Sequence, residues 1–449
     1  MSQPKDISKD ISKDISKDSR MSTPLYLGLD FGTSGARACV IADLGDERTE
    51  IEEFARLEFG ELAESELAGG WRQVLFDLIA DLPLGLRKRL AAIAISGTSG
   101  TVLACDGALN PLHPPLLYND ARATEESARL AEIAGETHPV ATATSGLAKA
   151  IWLHSRLTAQ PDLKLLHQAD WLAGLLTGGS GVSDVHNALK MGFDPATLAW
   201  PQWMADVIPR ATLPTVLLPG ATIGPILRAQ ARALSLSTEC LVRTGTTDSI
   251  AAFLAAGARQ PGDAVTSLGT TLALKLISEQ RVDDARFGVY SHWYGRYWLA
   301  GGASNAGGGV LRQYFSSTEL TELSARIEPE QPSGLDYYPL PRPGERFPIN
   351  DPNLPPRLEP VPEDRVTFLH GLLDGLAHIE ARGYAKLEEL GASPVRQVLS
   401  SGGGAINDTY TRIRAQRLGM PTMNATMQEA AYGSALLAAR GTALFPMVP

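Results

Sequence analysis

A single carboxylate stands in a turn of small hydroxyl residues, Gly245-Thr246-Thr247-Asp248-Ser249, directly before an apolar run over residues 250–258. Two readings are open for Asp248: it takes a proton from a bound hydroxyl, or its side chain caps the helix that the apolar run forms. Three further segments bear on the choice. Asp30-Phe31-Gly32-Thr33-Ser34-Gly35 and Ser267-Leu268-Gly269-Thr270-Thr271 combine glycine with hydroxyl side chains, and Ser401-Gly402-Gly403-Gly404-Ala405-Ile406-Asn407 is a glycine cluster. Glycine lets backbone N–H groups approach an anion closely, and Thr or Ser adds hydroxyl donors, which is what a polyphosphate requires. Each Gly-Thr segment alone is equally an ordinary hairpin turn; the pair favours phosphate. Asp30 ends a strand-like run just ahead of the first turn, where a carboxylate reaches phosphates through a hydrated Mg²⁺, an ion that uses few protein ligands. The competing reading of Asp30 is a turn residue capping its own loop.

The elements that must position these residues follow from periodicity. Residues 25–29 and 37–41 are strand-like runs joined by the first Gly-Thr turn, and residues 264–268 and 272–276 repeat the plan about 240 residues later, as a duplicated domain would. Between them lie a strand over 90–96, a helix over 169–176, and a stretch over 223–242 read as a helix giving way to a strand. Strands alternating with helices predict mixed α/β layers. A segment dense in proline and charge over 339–362 reads as a long surface excursion, with Tyr337, Tyr338 and Phe347 packing it onto the domain. A strand over 395–400, a helix from about 408 and a small-residue helix over 428–440 close the chain.

Composition narrows the chemistry. A length of 449 residues exceeds one ordinary core and predicts two domains, divided near Pro261-Gly262. A formal net charge of -10 argues against nucleic acid and anionic membrane as partners and leaves a small molecule. Cys39, Cys105 and Cys240 form no CxxC pair, which removes thiolate zinc sites and fits a reducing, cytoplasmic compartment. No apolar run reaches the 18 or so residues of a membrane span. No G-x-x-x-x-G-K-[ST] loop, strand-associated G-x-G-x-x-G, HExxH or Gly-x-Ser-x-Gly elbow with a convincing partner is present, so P-loop, Rossmann, zinc-protease and serine-hydrolase readings fall away. The repeated Lys-Asp-Ile-Ser units make residues 1–22 a low-complexity tail, read as disordered.

Taken in order, the four glycine- and carboxylate-bearing segments resemble the FGGY family of carbohydrate kinases. Secondary matches are Asp170-Trp171-Leu172, Ser183-Asp184-Val185-His186-Asn187-Ala188 and Gly301-Gly302-Ala303-Ser304-Asn305. The resemblance implies an α/β fold of two RNase H-like domains, over 23–258 for sugar and phosphate and 259–449 for nucleotide, with ATP and Mg²⁺ in the cleft. It implies Asp248 as the base and Asp30 as organiser of the metal, through water. Thr33, Ser34, Gly35, Gly269, Thr270 and Thr271 would hold phosphates, and Gly403, Gly404 and Asn407 would border the nucleotide, with Tyr410 at the adenine or ribose. Xylulose kinases of the family usually carry Gln-Met-His-Gly where this chain reads Ser96-Gly97-Thr98-Ser99-Gly100-Thr101; the histidine is missing. In this the chain resembles a cyanobacterial and plant subgroup associated with D-ribulose phosphorylation, with Ser99 and Ser249 as hydroxyl partners of the ketose. The alternatives are D-xylulose or another ketose or polyol, and a slow actin-like ATPase acting as a nucleotide switch. The enzyme is expected as monomer or homodimer.

Overall fold

The computed structural model describes residues 23–447; the repeated tail lies outside the described residues. The first half supplies β1 (Leu25–Phe31), β2 (Gly35–Gly45), β3 (Arg48–Glu58), β4 (Leu90–Gly97), β5 (Val102–Cys105), β6 (Lys164–His167), β7 (Val182–Asp184), β8 (Thr215–Leu217), β9 (Thr222–Pro225), β10 (Leu241–Arg243) and β11 (Thr246–Thr247). The second supplies β12 (Asp263–Leu268), β13 (Leu272–Ser278), β14 (Tyr290–Tyr294), β15 (Tyr297–Ser304), β16 (Gln397–Ser401) and β17 (Thr422–Asn424). One large sheet runs β3-β2-β1-β4-β10-β9 with β11 beside β4, and the other β14-β15-β13-β12-β16-β17. In each, an antiparallel hairpin (β1–β2, β12–β13) adjoins a parallel neighbour (β4, β16), so the two Gly-Thr turns occupy equivalent places in two sheets. The duplication expected from the sequence is thus present as topology.

Each sheet carries its own core. Leu25, Leu27, Leu29 and Phe31 alternate into one with Trp71, Leu75 and Ile79 of α1 (Leu67–Asp81) and with Trp171, Leu172 and Leu176 of α2 (Gln168–Thr177). In the other, Leu272, Leu274 and Leu276 meet Leu369, Leu372, Leu376 and Ile379 on one stripe of the long α5, after α3 (Val185–Leu189) and α4 (Asp248–Ala256) in the first half, α5 itself spanning Arg365–Glu389. Beyond it come α6 (Asp408–Leu418) and α7 (Ala430–Arg440). Period-2 burial along the strands and helical spacing along α5 follow from side chains facing alternate sides of a strand and one face of a helix.

The last helix crosses back: α7 packs on β1, β4 and α4 of the first half. Small residues make this possible. A Cβ at Gly433 would lie 1.9 Å from the Ala251 carbonyl oxygen of α4, and one at Gly28 would lie 2.0 Å from the Ala431 carbonyl oxygen. Both are contacts that only glycine permits.

Two expectations need correction. The stretch 223–242 opens as strand β9, and only its middle, Arg228–Leu234, is helical before β10. Ile223 packs against the first core as an edge-strand residue while Ile226 is buried in it, so the apolar spacing that reads as helical belongs to two elements. The proline-rich stretch 339–362 is not simply a surface excursion. Leu340, Glu345 and Phe347 are buried, and the Glu345 carboxylate accepts hydrogen bonds from Ser304 Oγ at 2.6 Å, Asn305 N at 2.8 Å and Tyr338 OH at 3.1 Å. A charged residue in a proline-rich run reads as solvated; here the turn that leaves β15 uses it as a buried acceptor. Tyr337, Tyr338 and Phe347 pack as expected.

Candidate active site

The candidate residues gather at the carboxyl ends of parallel strands, where open α/β sheets present ligands. In register, Asp30 of β1 lies beside Ser96 of β4, which lies beside Thr246 of β11. One residue after β11, Asp248 begins α4. Its N-cap is Thr247, so Asp248 is the first helical residue and the capping reading fails in its strict form. The carboxylate nevertheless accepts the Ser249 N–H at 2.6 Å and the Ser99 backbone N–H, which places Ser96-Gly97-Thr98-Ser99 against the turn that holds Asp248. Negative charge at a helix N-terminus is favoured by the orphan N–H groups and the macrodipole. Burial outweighs them and raises the Asp248 carboxyl above its ordinary value.

Asp30 is 3% exposed. Its Oδ1 accepts the Ser96 hydroxyl at 2.8 Å, and Ser434 of α7 lies 3.0 Å behind Ser96. Arg37 reaches Oδ2 only at 3.6 Å and shares itself with Glu429 at 3.3 Å. The Asp30 carboxyl stands at about 6: burial is the largest influence and raises it, the Asp248 charge adds to the rise, and Ser96 and Arg37 oppose it. Two carboxylates that sense each other at one site fit a bound cation, which would neutralise both. Asp30 keeps lone pairs uncommitted for this, so the residues present suit a hydrated divalent ion held by one protein side chain.

The two Gly-Thr turns present their hydroxyls outward. Thr33, Ser34, Thr270 and Thr271 are exposed, while Gly35 is buried where β2 meets β3. Arg312 donates to Thr270 Oγ1 at 2.9 Å, which brings a cation to the second turn that sequence reasoning missed. Ser267 and Ser401 are in register on β12 and β16, so the second turn and the glycine cluster leave the sheet side by side. Gly402 N donates to Gln428 Oε1 at 3.0 Å, and the Cα of Gly403 faces open space. Gly404 packs on Leu268, at the root of the second turn.

Asn407 borders this cluster, but its side chain is committed: Oδ1 caps α6 at Tyr410 N (3.0 Å) and Nδ2 donates to Ser324 Oγ (2.8 Å). Tyr410 does not reach the surface beside these glycines. It is buried in the second core, its hydroxyl enclosed by protein, because α6 turns that position inward. The side chain presented beside the glycines is Ile406, 83% exposed.

A buried network fixes the strands beneath these loops. Glu380 of α5 accepts from Arg414 of α6 at 2.6 and 2.7 Å and from Thr266 of β12 at 2.5 Å, and Arg414 donates to Ser400 of β16 at 2.6 Å. Glu380 and Arg414 are fully buried. Thr266 and Ser400 pair directly and stand one residue before Ser267 and Ser401.

Other sequence candidates separate into contact and support. Ser99 Oγ and Thr247 Oγ1 are buried without a protein partner beside Asp248, as groups awaiting a ligand would be. Ser249 is exposed. Gln168 was not singled out in the sequence; its Oε1 accepts from Thr98 N and Thr98 Oγ1, both at 2.9 Å, and braces the Ser99 loop. Asp184 caps α3 and His186 bridges Thr246 Oγ1 (2.7 Å) to the Trp293 carbonyl (2.8 Å), so this cluster supports the Asp248 turn from below. Lys275 and Lys190 both act on the Asp248 carboxylate, and of the two Lys275 was not marked in the sequence. A lysine inside a strand pattern gives no signal of its own.

Comparison with known proteins identifies the family. Residues 25–255 match the N-terminal domain, and residues 264–442 the C-terminal domain, of the FGGY family of carbohydrate kinases. The xylulose kinase of Lactococcus lactis is 22% identical, over 93% of this chain and 88% of that protein, and that of Streptomyces rubiginosus is 29% identical over 58% and 56%. A xyloylose kinase structure from Brucella ovis superposes with a TM-score of 0.81 at 23% identity, covering 94% of this chain and 93% of that one. The xylulose kinase structure from Rhodospirillum rubrum gives 0.78 at 23% identity, over 93% and 90%. Two family matches that together span nearly all the described residues show that this chain belongs to the FGGY family of carbohydrate kinases.

Proposed function

We propose that the protein transfers the γ-phosphoryl group of ATP to the terminal hydroxyl of D-ribulose, giving D-ribulose 5-phosphate and ADP. Family membership makes it a carbohydrate kinase with a sugar and ATP as substrates. The observation that carries the reading is Asp248, a buried carboxylate at a helix start, flanked by the partnerless hydroxyls of Ser99 and Thr247 and sensed by Asp30, two residues before the first Gly-Thr turn. In the reaction, an Asp248 oxygen accepts the proton of the sugar hydroxyl as that oxygen attacks the γ-phosphorus and the bond to the β–γ bridging oxygen breaks, leaving ADP. Such a transfer requires positioning and charge neutralisation more than covalent chemistry. Thr33, Ser34, Gly35, Gly269, Thr270 and Thr271 hold the phosphates, and Gly403, Gly404 and Asn407, with exposed Ile406, border the nucleoside. Asp30 would hold Mg²⁺ through water, and the ion would supply charge neutralisation at the phosphates. Ser99 and Ser249 take sugar hydroxyls. Residues up to Ala258 form the sugar side and those beyond it the nucleotide side, save for α7. The free, buried cysteines fit a reducing cytoplasm.

D-Ribulose is preferred because the Ser96-Gly97-Thr98-Ser99 loop lacks the imidazole expected in a xylulose kinase. Curated relatives named xylulose kinase favour D-xylulose as the second reading. ADP release measured with D-ribulose, D-xylulose, L-ribulose and glycerol separates them. D-Ribulose is expected to give the highest kcat/KM. A higher value for D-xylulose overturns the choice of sugar, and sugar-independent slow hydrolysis alone overturns the kinase mechanism in favour of a nucleotide switch.

A further inference from the structure

We propose that Lys275 is a positioning residue, reaching from the second sheet across the cleft to the first turn of α4 and holding the Asp248 carboxylate ready to accept the substrate proton. The inference rests on Asp248 being the base. Lys275 lies on β13, immediately beyond the second phosphate turn. On that strand Leu272, Leu274 and Leu276 face the core, so Ala273 and Lys275 face the other way, into a cavity of about 250 Å³ that Ser249, Tyr290, His292 and Arg346 also line. The stem of Lys275 crosses Gly301, its register partner on β15: a Cβ placed there would lie 3.4 Å from Lys275 Cγ. From this path Nζ donates to the Ser249 carbonyl at 2.8 Å, and Ser249 N in turn donates to Asp248 Oδ1 at 2.6 Å. A residue of the nucleotide-side sheet therefore grips the residue next to the proposed base, which lies in the other half of the molecule.

A lysine set against a carbonyl in a cleft loses hydration and needs a charge partner. Among the described residues Asp248 is the one carboxylate that acts on Lys275; Lys190, which follows α3 and donates to Tyr290 OH, repels it. The other groups around the pair are Asp30 on β1, His292 on β14, whose imidazole burial keeps well below its ordinary value, and Arg346 on the far side of the cavity, bonded to the Ala303 carbonyl at 2.6 Å. The pair is thus reciprocal. Lys275 lowers the Asp248 carboxyl against the upward push of burial, and burial brings the Lys275 ammonium itself down to about 8.

The signs give two signatures in a pH profile of kcat. Asp248 must be ionised, so activity falls on the acid side; removing the nearby cation raises the Asp248 carboxyl and moves that limb to higher pH. Above about 8 Lys275 loses its charge, so activity falls again on the alkaline side. The full-length enzyme is assayed as wild type, Lys275→Met and Lys275→Arg. Lys275→Met is expected to move the acid limb up by about one pH unit, the lower end of the effect of an opposite charge a few ångströms away. Well down the acid limb it is expected to lower kcat about tenfold while the sugar KM changes less than threefold, following the same shift. Lys275→Arg is expected to restore the acid limb and to lack the alkaline limb, because guanidinium keeps its charge. A folded Lys275→Met enzyme with an unmoved acid limb overturns the proposal, as does a Lys275→Arg enzyme that retains the alkaline limb near 8; the arginine arm suffices should the methionine variant fail to fold. Asp248→Asn run in parallel separates the two claims. An inactive asparagine variant beside unmoved limbs refutes Lys275 alone, whereas an active one refutes the base.

Discussion

Asp30→Asn should stabilise the protein while it disables it. The Asp30 carboxyl is enclosed on β1, and burial, its largest influence, raises it from 3.8 to about 6. At 1.36 kcal/mol per pH unit, holding it ionised in the fold above pH 6 costs about 3 kcal/mol relative to the unfolded chain. A raised carboxyl favours the protonated folded state, so its contribution to stability is fully present below about pH 4 and is lost as pH rises through about 6. Asparagine keeps an acceptor for the Ser96 hydroxyl and gives up the attraction of Arg37, which at 3.6 Å is weak and which retains Glu429. Halving the figure for that loss leaves a net stabilisation of ~1.5 kcal/mol at pH 8. At about 2–4 °C per kcal/mol for a unit of this size, Tm rises by about 3–6 °C. The assay is a thermal melt of wild type and variant at pH 8 and at pH 5, with sugar-dependent ADP release measured on the same samples. The difference in Tm should shrink at pH 5, where wild-type Asp30 is mostly protonated, and turnover at pH 8 should fall at least about a hundredfold. A variant that melts at or below wild type at pH 8, or a gap that does not change with pH, refutes the claim that Asp30 is kept ionised against its surroundings. Such a trade of stability for activity is the general pattern at functional carboxylates.

The chemistry-bearing loops were legible because they combine a local signal with a strand on either side. Gly32-Thr33-Ser34 and Gly269-Thr270-Thr271 sit at hairpin turns between runs whose alternation marks them as strands, and both hairpins form. Long-range relations were less legible. Nothing around Ser434 in its small-residue helix says that its hydroxyl stands behind Ser96, 338 residues earlier. Lys275 looks like the polar face of an ordinary strand until β13 is seen against α4. Tyr410 shows the converse: an aromatic three residues after Asn407 invites a nucleotide contact, but the capping of α6 by Asn407 rotates it into the core and leaves Ile406 outside. The stretch 223–242 failed for a simpler reason. Its helix is only seven residues long, and apolar residues of the adjoining strands supply the spacing read as helical.

Three further outcomes test the site and its supports. Glu380→Gln leaves the Arg414 guanidinium buried without its charge partner, beneath the second Gly-Thr turn and the glycine cluster. It is expected to lower stability by about 3–5 kcal/mol in urea melts, and a loss under 1 kcal/mol would show that the network contributes little. Ile406→Ala removes the exposed apolar side chain beside Gly403 and should raise the KM for ATP severalfold with kcat nearly unchanged; an unaltered KM would place the nucleoside elsewhere. The base itself is tested by Asp248→Asn, which keeps an oxygen to accept the Ser249 and Ser99 N–H groups and so retains the local fold while removing the proton acceptor. General-base catalysis contributes about 10²–10⁴-fold, so kcat should fall by that factor, equivalent to about 3–5 kcal/mol in the barrier, while ATP binding measured by calorimetry persists. Because the variant preserves the hydrogen bonds that order the turn, a lost rate cannot be ascribed to a collapsed helix start. Near-normal turnover would mean that the attacking hydroxyl gives up its proton without Asp248, and the turn would then be only the place where α4 begins.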